Sequence, residues 1–105
     1  MNLKGSLPML ILHTLSGSPN HGYQIAKEIE HKSQGVLDFK EGTLYPTLHN
    51  LEKQGLIEAY EAQVSGRTRR SYRLTEAGRG RLTAERATWE RYAAAINLVL
   101  EGETA

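Results

Sequence analysis

The chain has 105 residues, 39% hydrophobic and 24% charged, with 13 basic and 12 acidic side chains and a formal net charge of +1. This composition fits one small domain and excludes a disordered or membrane-spanning chain. No cysteine is present, which removes disulfides, thiolate catalysis and cysteine zinc sites.

The longest nearly apolar run, Leu7 to Leu12, is too short to span a bilayer. No N-terminal stretch has the pattern of a cleavable signal, so a cytoplasmic location is expected. A core this small gains from a partner subunit.

Ser6 is predicted to cap a first helix that buries Leu7, Leu10, Ile11 and Leu15, with Leu12 widening the face. Pro8 then falls in the first turn, where a missing N–H costs nothing. Gly17 and the following Ser-Pro-Asn end that helix. A second helix is predicted from about His21 to Lys32, apolar at Ile25, Ala26 and Ile29. A loop through Ser33–Gly42 follows.

In "TLYPTLHNLEKQGLI", Leu44, Leu48 and Leu51 are spaced i, i+4, i+7 and make one apolar stripe. Pro46 interrupts the pattern. With Thr43 as N-cap, Pro46 is the third helical residue and gives up no hydrogen bond. Gly55 fits a left-handed C′ position, so that Leu51 and Leu56 make the contact of a Schellman ending.

Ile57 to Leu74 reads as a hairpin, with "VSGRTRR" as its basic tip and Ser-Gly as the turn. Arg67, Arg69, Arg70, Arg73, Arg79 and Arg81 face one acid, Glu76, across this stretch and the next, a local electrostatic footprint of nucleic-acid binding. Arg73 is also placed to pair with Glu58 across the hairpin. Thr75 caps a last helix from about Glu76 to Leu100. Glu85, Trp89, Tyr92, Ile96 and Val99 step by four and three residues along it, which resembles a short dimerisation seam. Leu82 is assigned to the same interface. The final "EGETA" reads as a frayed tail.

These elements predict a mainly α chain with a small β-hairpin wing: a winged helix-turn-helix over residues 1–75, and a long C-terminal helix with its tail over 76–105. In helix-turn-helix proteins the start of the second motif helix meets base edges in the major groove. The candidate DNA-binding residues on that helix are Thr43, Tyr45, Pro46, Thr47, His49 and Asn50, with free N–H groups at its start for phosphate. Arg67, Arg69 and Arg70 join them from the wing, and Tyr23, Gln24 and Lys27 from the preceding helix. The blander reading is a wet helix face and a solvated hairpin tip.

Three stretches, "LKGSLPMLILHTLSGSPNHGYQIAKEI", "EGTLYPTLHNLEKQGLIEAY" and "GRTRRSYRLTEAG", resemble the PadR family of bacterial transcriptional regulators, in its short form with a single C-terminal helix. The resemblance implies a homodimeric repressor on a pseudo-palindromic operator in double-stranded DNA. It also implies a last helix packed on its symmetry mate, with Leu82, Trp89, Tyr92, Ile96 and Val99 at the interface.

Trp89 carries a second reading. Some family members bind flat aromatic compounds at the dimer interface, stacked on a tryptophan of this helix. Trp89 with Glu85 would then receive a small aromatic effector. A third reading is a winged helix used as a protein-interaction module. No enzyme activity or cofactor is expected, because no nucleophile–base pair or glycine phosphate cradle stands out. His13, His21, His31 and His49 lack metal-ligand spacing.

Overall fold

The computed structural model describes residues 3–102. The elements in order are α1 (Leu3–Gly17), β1 (Asn20–His21), α2 (Gly22–Lys32), α3 (Glu41–Lys53), β2 (Ile57–Val64), β3 (Arg67–Leu74) and α4 (Glu76–Gly102). The helical trio, the hairpin and the long last helix are those the sequence predicts. Among the described residues no helix is long and apolar enough to cross a membrane.

α1 is the centre of the packing and touches α2, α3, α4 and β3. Its Leu7, Ile11, Leu12 and Leu15 are buried, whereas Leu10 is only half-buried. Ile25 and Ile29 of α2, the leucine stripe of α3, Leu56, Ile57, Tyr72 and Leu82 complete the core. α1 already runs at Leu3, so Ser6 lies inside it rather than capping it. Pro8 therefore sits beyond the first turn and removes one helical hydrogen bond.

The sheet has three strands, not two, in the order β1-β3-β2. β1 is a two-residue strand where the sequence predicts only the end of the first helix and the start of the second, and pairs Asn20 with Tyr72 and His21 with Ser71. β2 and β3 form the hairpin, from Ile57 opposite Leu74 out to Val64 opposite Arg67. Ser65 and Gly66 have φ of +52° and +77°, the two left-handed residues of the turn whose twist matches its strands. The expected basic tip is thus a two-residue turn, and Arg67, Arg69 and Arg70 belong to β3.

The end of α3 follows its sequence signature. Gly55 has φ +75°; its N–H donates to Glu52 O, and Leu56 N–H donates to Leu51 O, both at 3.0 Å. That is the Schellman pair of bonds, with Leu51 and Leu56 buried beneath it. Thr75 also behaves as predicted: its Oγ1 accepts from Gly78 N–H at 3.0 Å and caps α4. The same hydroxyl donates to Gly55 O at 2.7 Å, and Thr75 N–H donates to Leu56 O at 3.2 Å. The end of α3 and the start of α4 are tied in one knot.

α4 enters the core with Gly78 and Leu82 and then leaves it. The molecule measures 59 × 28 × 22 Å, because 27 helical residues reach about 40 Å. Glu101 and Gly102 continue the helix, in place of the frayed start of a tail. The rest of that tail, 103–105, lies outside the described residues.

Candidate nucleic-acid interface

α3 starts one turn earlier than predicted. Its N-cap is Lys40, with φ −85° and ψ 164°, and no side chain caps it. Thr43 and Leu44 N–H both donate to Lys40 O, at 3.0 and 2.9 Å. Pro46 is therefore the sixth helical residue, and its ring removes the bond to the Gly42 carbonyl. Gly42 is exposed, so water can replace that donor. The free N–H groups expected beside Thr43 belong instead to the Glu41 end. An acidic side chain there suits the helix dipole but repels an incoming phosphate.

The face of α3 opposite its leucines is partly open to solvent. Pro46, His49 and Asn50 are exposed, and Thr43 and Thr47 are half-buried. Thr47 Oγ1 donates to Thr43 O at 2.8 Å. Its proton is turned back on the helix, and its lone pairs face out.

Tyr45 is fixed by a residue with no side chain. A Cβ built on buried Gly22 would lie 2.9 Å from Tyr45 Cε1 and 3.3 Å from Leu48 Cδ1. Glycine at the start of α2 thus makes room for the ring. Burial first, then the Glu41 charge, push the Tyr45 hydroxyl above the ordinary tyrosine value, so it stays a protonated donor. On α2, Tyr23 and Gln24 are exposed. Lys27 Nζ lies 5.6 Å from the Tyr23 ring centroid and 3.7 Å from Glu30.

The wing arginines divide by strand parity. Arg70 faces α3 and contacts Glu52 at 3.0 Å, and that hydrogen bond first raises its pKa above the ordinary arginine value. Arg67 and Arg69 stand opposite Val64 and Ala62, and neither forms an ion pair among the described residues. Arg73 is opposite Glu58, but its guanidinium stacks 4.1 Å above the Tyr60 ring.

Between β3, α3 and the start of α2 lies a cleft of about 320 Å³, whose lining includes Tyr23, Tyr45, His49, Thr68, Arg69 and Arg70. His21 lines it too. In the sequence His21 stands out only as one of four histidines without metal-ligand spacing, because a two-residue strand leaves no periodic signal. No group of three metal-ligating side chains exists among the described residues.

Of the interface residues assigned to α4, Leu82 is 8% exposed. It is spent inside this chain's core and is not available to a partner. Trp89, Tyr92, Ile96 and Val99 are exposed. Trp89 and Glu85 do share a cleft, of about 210 Å³, with Met9 and Tyr92 between α1 and α4. Glu85 also stands 3.9 Å from Arg81.

A helix-turn-helix flanked by an arginine-bearing hairpin defines the winged-helix class of regulator. Residues 11–84 match the family model described as the Transcriptional regulator PadR-like family, and the chain belongs to that family of transcriptional regulators. It is 39% identical over 90 residues to the transcriptional regulator Rv3488 of Mycobacterium tuberculosis, covering 86% of this chain and 81% of that protein. A transcriptional regulator from Clostridium thermocellum superposes with a TM-score of 0.83 at 32% identity, over 90% of this chain and 93% of that one. A PadR family transcription regulator from Clostridium difficile R20291 does so with a TM-score of 0.79 at 32% identity, over 91% and 99%.

Proposed function

We propose that the protein is a cytoplasmic, homodimeric, sequence-specific DNA-binding repressor of a nearby promoter. Residues 1–75 form the DNA-binding unit, and the helix and tail of 76–105 form the dimerisation element. The observation that carries this reading is one cleft at which Tyr45 and His49 of α3 meet Arg69 of the wing, with Arg67 two residues away on the same strand. Both arginines lack carboxylate partners among the described residues. Thr43, Pro46, Thr47 and Asn50 meet base edges, Arg67 and Arg69 hold phosphates, and Tyr23, Gln24 and Lys27 flank the site. Arg70 serves differently: it joins the wing to α3 through Glu52. Two α3 helices in a dimer reach successive major grooves about 34 Å apart.

The test is a salt titration of binding to duplex DNA from upstream of its own gene, with unrelated DNA as competitor. If each subunit neutralises about four phosphates, log K falls with log[salt] at a slope near −7. Changing Arg67 and Arg69 together to alanine should move the slope toward about −4. A wild-type slope shallower than about −2 contradicts the assigned contacts.

The cleft at Trp89 favours a second reading, in which a flat aromatic effector enters beside Glu85 and releases the DNA. Apolar concavities with few polar groups suit such ligands. Trp89 fluorescence should then be quenched by planar aromatic cations; an unchanged signal across such compounds removes this reading.

A further inference from the structure

The cleft between wing and α3 has more structure than the general contact surface requires. Four elements, β1, α2, α3 and β3, converge on it, and no carboxylate lines it. Glu52 is the nearest acid by contact, and it is engaged with Arg70 at 3.0 Å. Arg69 brings a cation with no carboxylate partner. Tyr45 brings a protonated hydroxyl held in place over Gly22. Thr68 Oγ1 accepts from Gln63 Nε2 at 2.9 Å, so its own proton remains to donate. By contrast, the start of α3 carries Glu41 and is a poor seat for an anion. The donors that an anion needs are gathered in the cleft instead.

Resting on the DNA-binding reading above, we propose that this cleft seats one backbone phosphate of DNA and that His21 is a phosphate-contacting residue within it. β1 holds His21 by pairing it with Ser71 on β3. Its ring lies nearly parallel to Tyr23, at 7°, with centroids 6.5 Å apart. The charged and titratable groups facing it are Arg69, Arg70 and Tyr72 from β3, Tyr45 and His49 from α3, and Tyr23 from α2. Glu28 stands behind, bonded to Asn20 at 2.9 Å.

In the free protein, burial first and Arg69 second lower the His21 pKa. The ring is therefore neutral at neutral pH. A phosphodiester in the cleft adds the missing negative charge and favours the imidazolium. DNA binding then takes up a proton at each His21. The sign follows: affinity rises as pH falls through the DNA-bound pKa, and levels off below the free one.

The experiment uses the full chain and a duplex of arbitrary sequence at low salt, since a phosphate contact is independent of sequence. Wild-type affinity should rise at least about tenfold from about pH 8 to about pH 5.5. Calorimetry in buffers of different ionisation heat should show proton uptake. His21→Gln should lose most of both effects, and His31→Gln, remote from the cleft, should keep them. The His21 ring proton followed by NMR gives the same answer without a variant, because its titration should move to higher pH when the duplex is added. If the duplex binds but His21 titrates unchanged, or His21→Gln keeps the pH response, the phosphate seat is wrong. If no duplex binds at low salt, the DNA-binding reading itself fails.

Discussion

Replacing Gly78 with alanine should lower the melting temperature by about 10–20 °C, for a cost near 3 kcal/mol. Gly78 is buried in the first turn of α4. A Cβ there would collide with the Leu56 carbonyl oxygen and come within 2.6 Å of Leu74 Cδ1. The side chain could rotate away, but the carbonyl is backbone and already accepts from Thr75 N–H. Relief requires α4 to lift off the α3 ending, which breaks the knot at Thr75. The helix-propensity gain of alanine over glycine, about 1 kcal/mol, is too small to offset this. Gly80, two residues on, has open space around its Cα. Gly80→Ala should therefore be neutral or stabilise by up to about 1 kcal/mol. Thermal unfolding of the two variants side by side separates backbone collision from propensity. A Gly78→Ala protein that melts with the wild type would show that the junction yields easily.

Changing Trp89 and Ile96 together to glutamate should give a folded monomer whose affinity for DNA drops by about 10²–10⁴-fold, the loss of two-site binding. In the isolated chain these side chains are 38% and 49% exposed. Tyr92 and Val99 extend their stripe at 58% and 72%, and Leu100 continues it at 68%. An exposed apolar row this long marks an interaction surface. Because the row lies outside the core, circular dichroism should keep its helical signal while light scattering reports half the mass. A dimer that survives the double change would place the interface elsewhere.

How much of this was legible depends on where each signal resides. The Schellman ending at Gly55, the cap at Thr75 and the Ser65–Gly66 turn are local chemistry, written in two to four adjacent residues. The starts of α1 and α3, where residues further along imitate a cap, are not where the sequence places them. Lys40 caps α3 with its backbone alone, while Thr43 and Pro46 imitate a start one turn later. Ser6 and Pro8 imitate one in α1 in the same way. Long-range pairings left no trace: β1 exists only because β3 lies beside it, and Arg70 finds Glu52 across 18 residues of sequence. The seam of α4 shows the same limit. Leu82 keeps the spacing of Trp89 and Tyr92, yet spacing does not record where a helix stops packing on its own chain.

The Thr75 knot gives α4 a mechanical role. A rod of about 40 Å is pinned near one end to the last turn of α3, through Gly55 and Leu56. Whatever grips its far end works with leverage. A tilt of a few degrees displaces the tip by ångströms, and the same rotation arrives at α3 without an intervening flexible joint. The Arg70–Glu52 contact couples the wing to that helix. In the proposed dimer, angular error between two subunits would be carried into both of their grips on the duplex together, and a small change in the crossing of two rods would switch the pair between matching and missing the helical repeat of DNA.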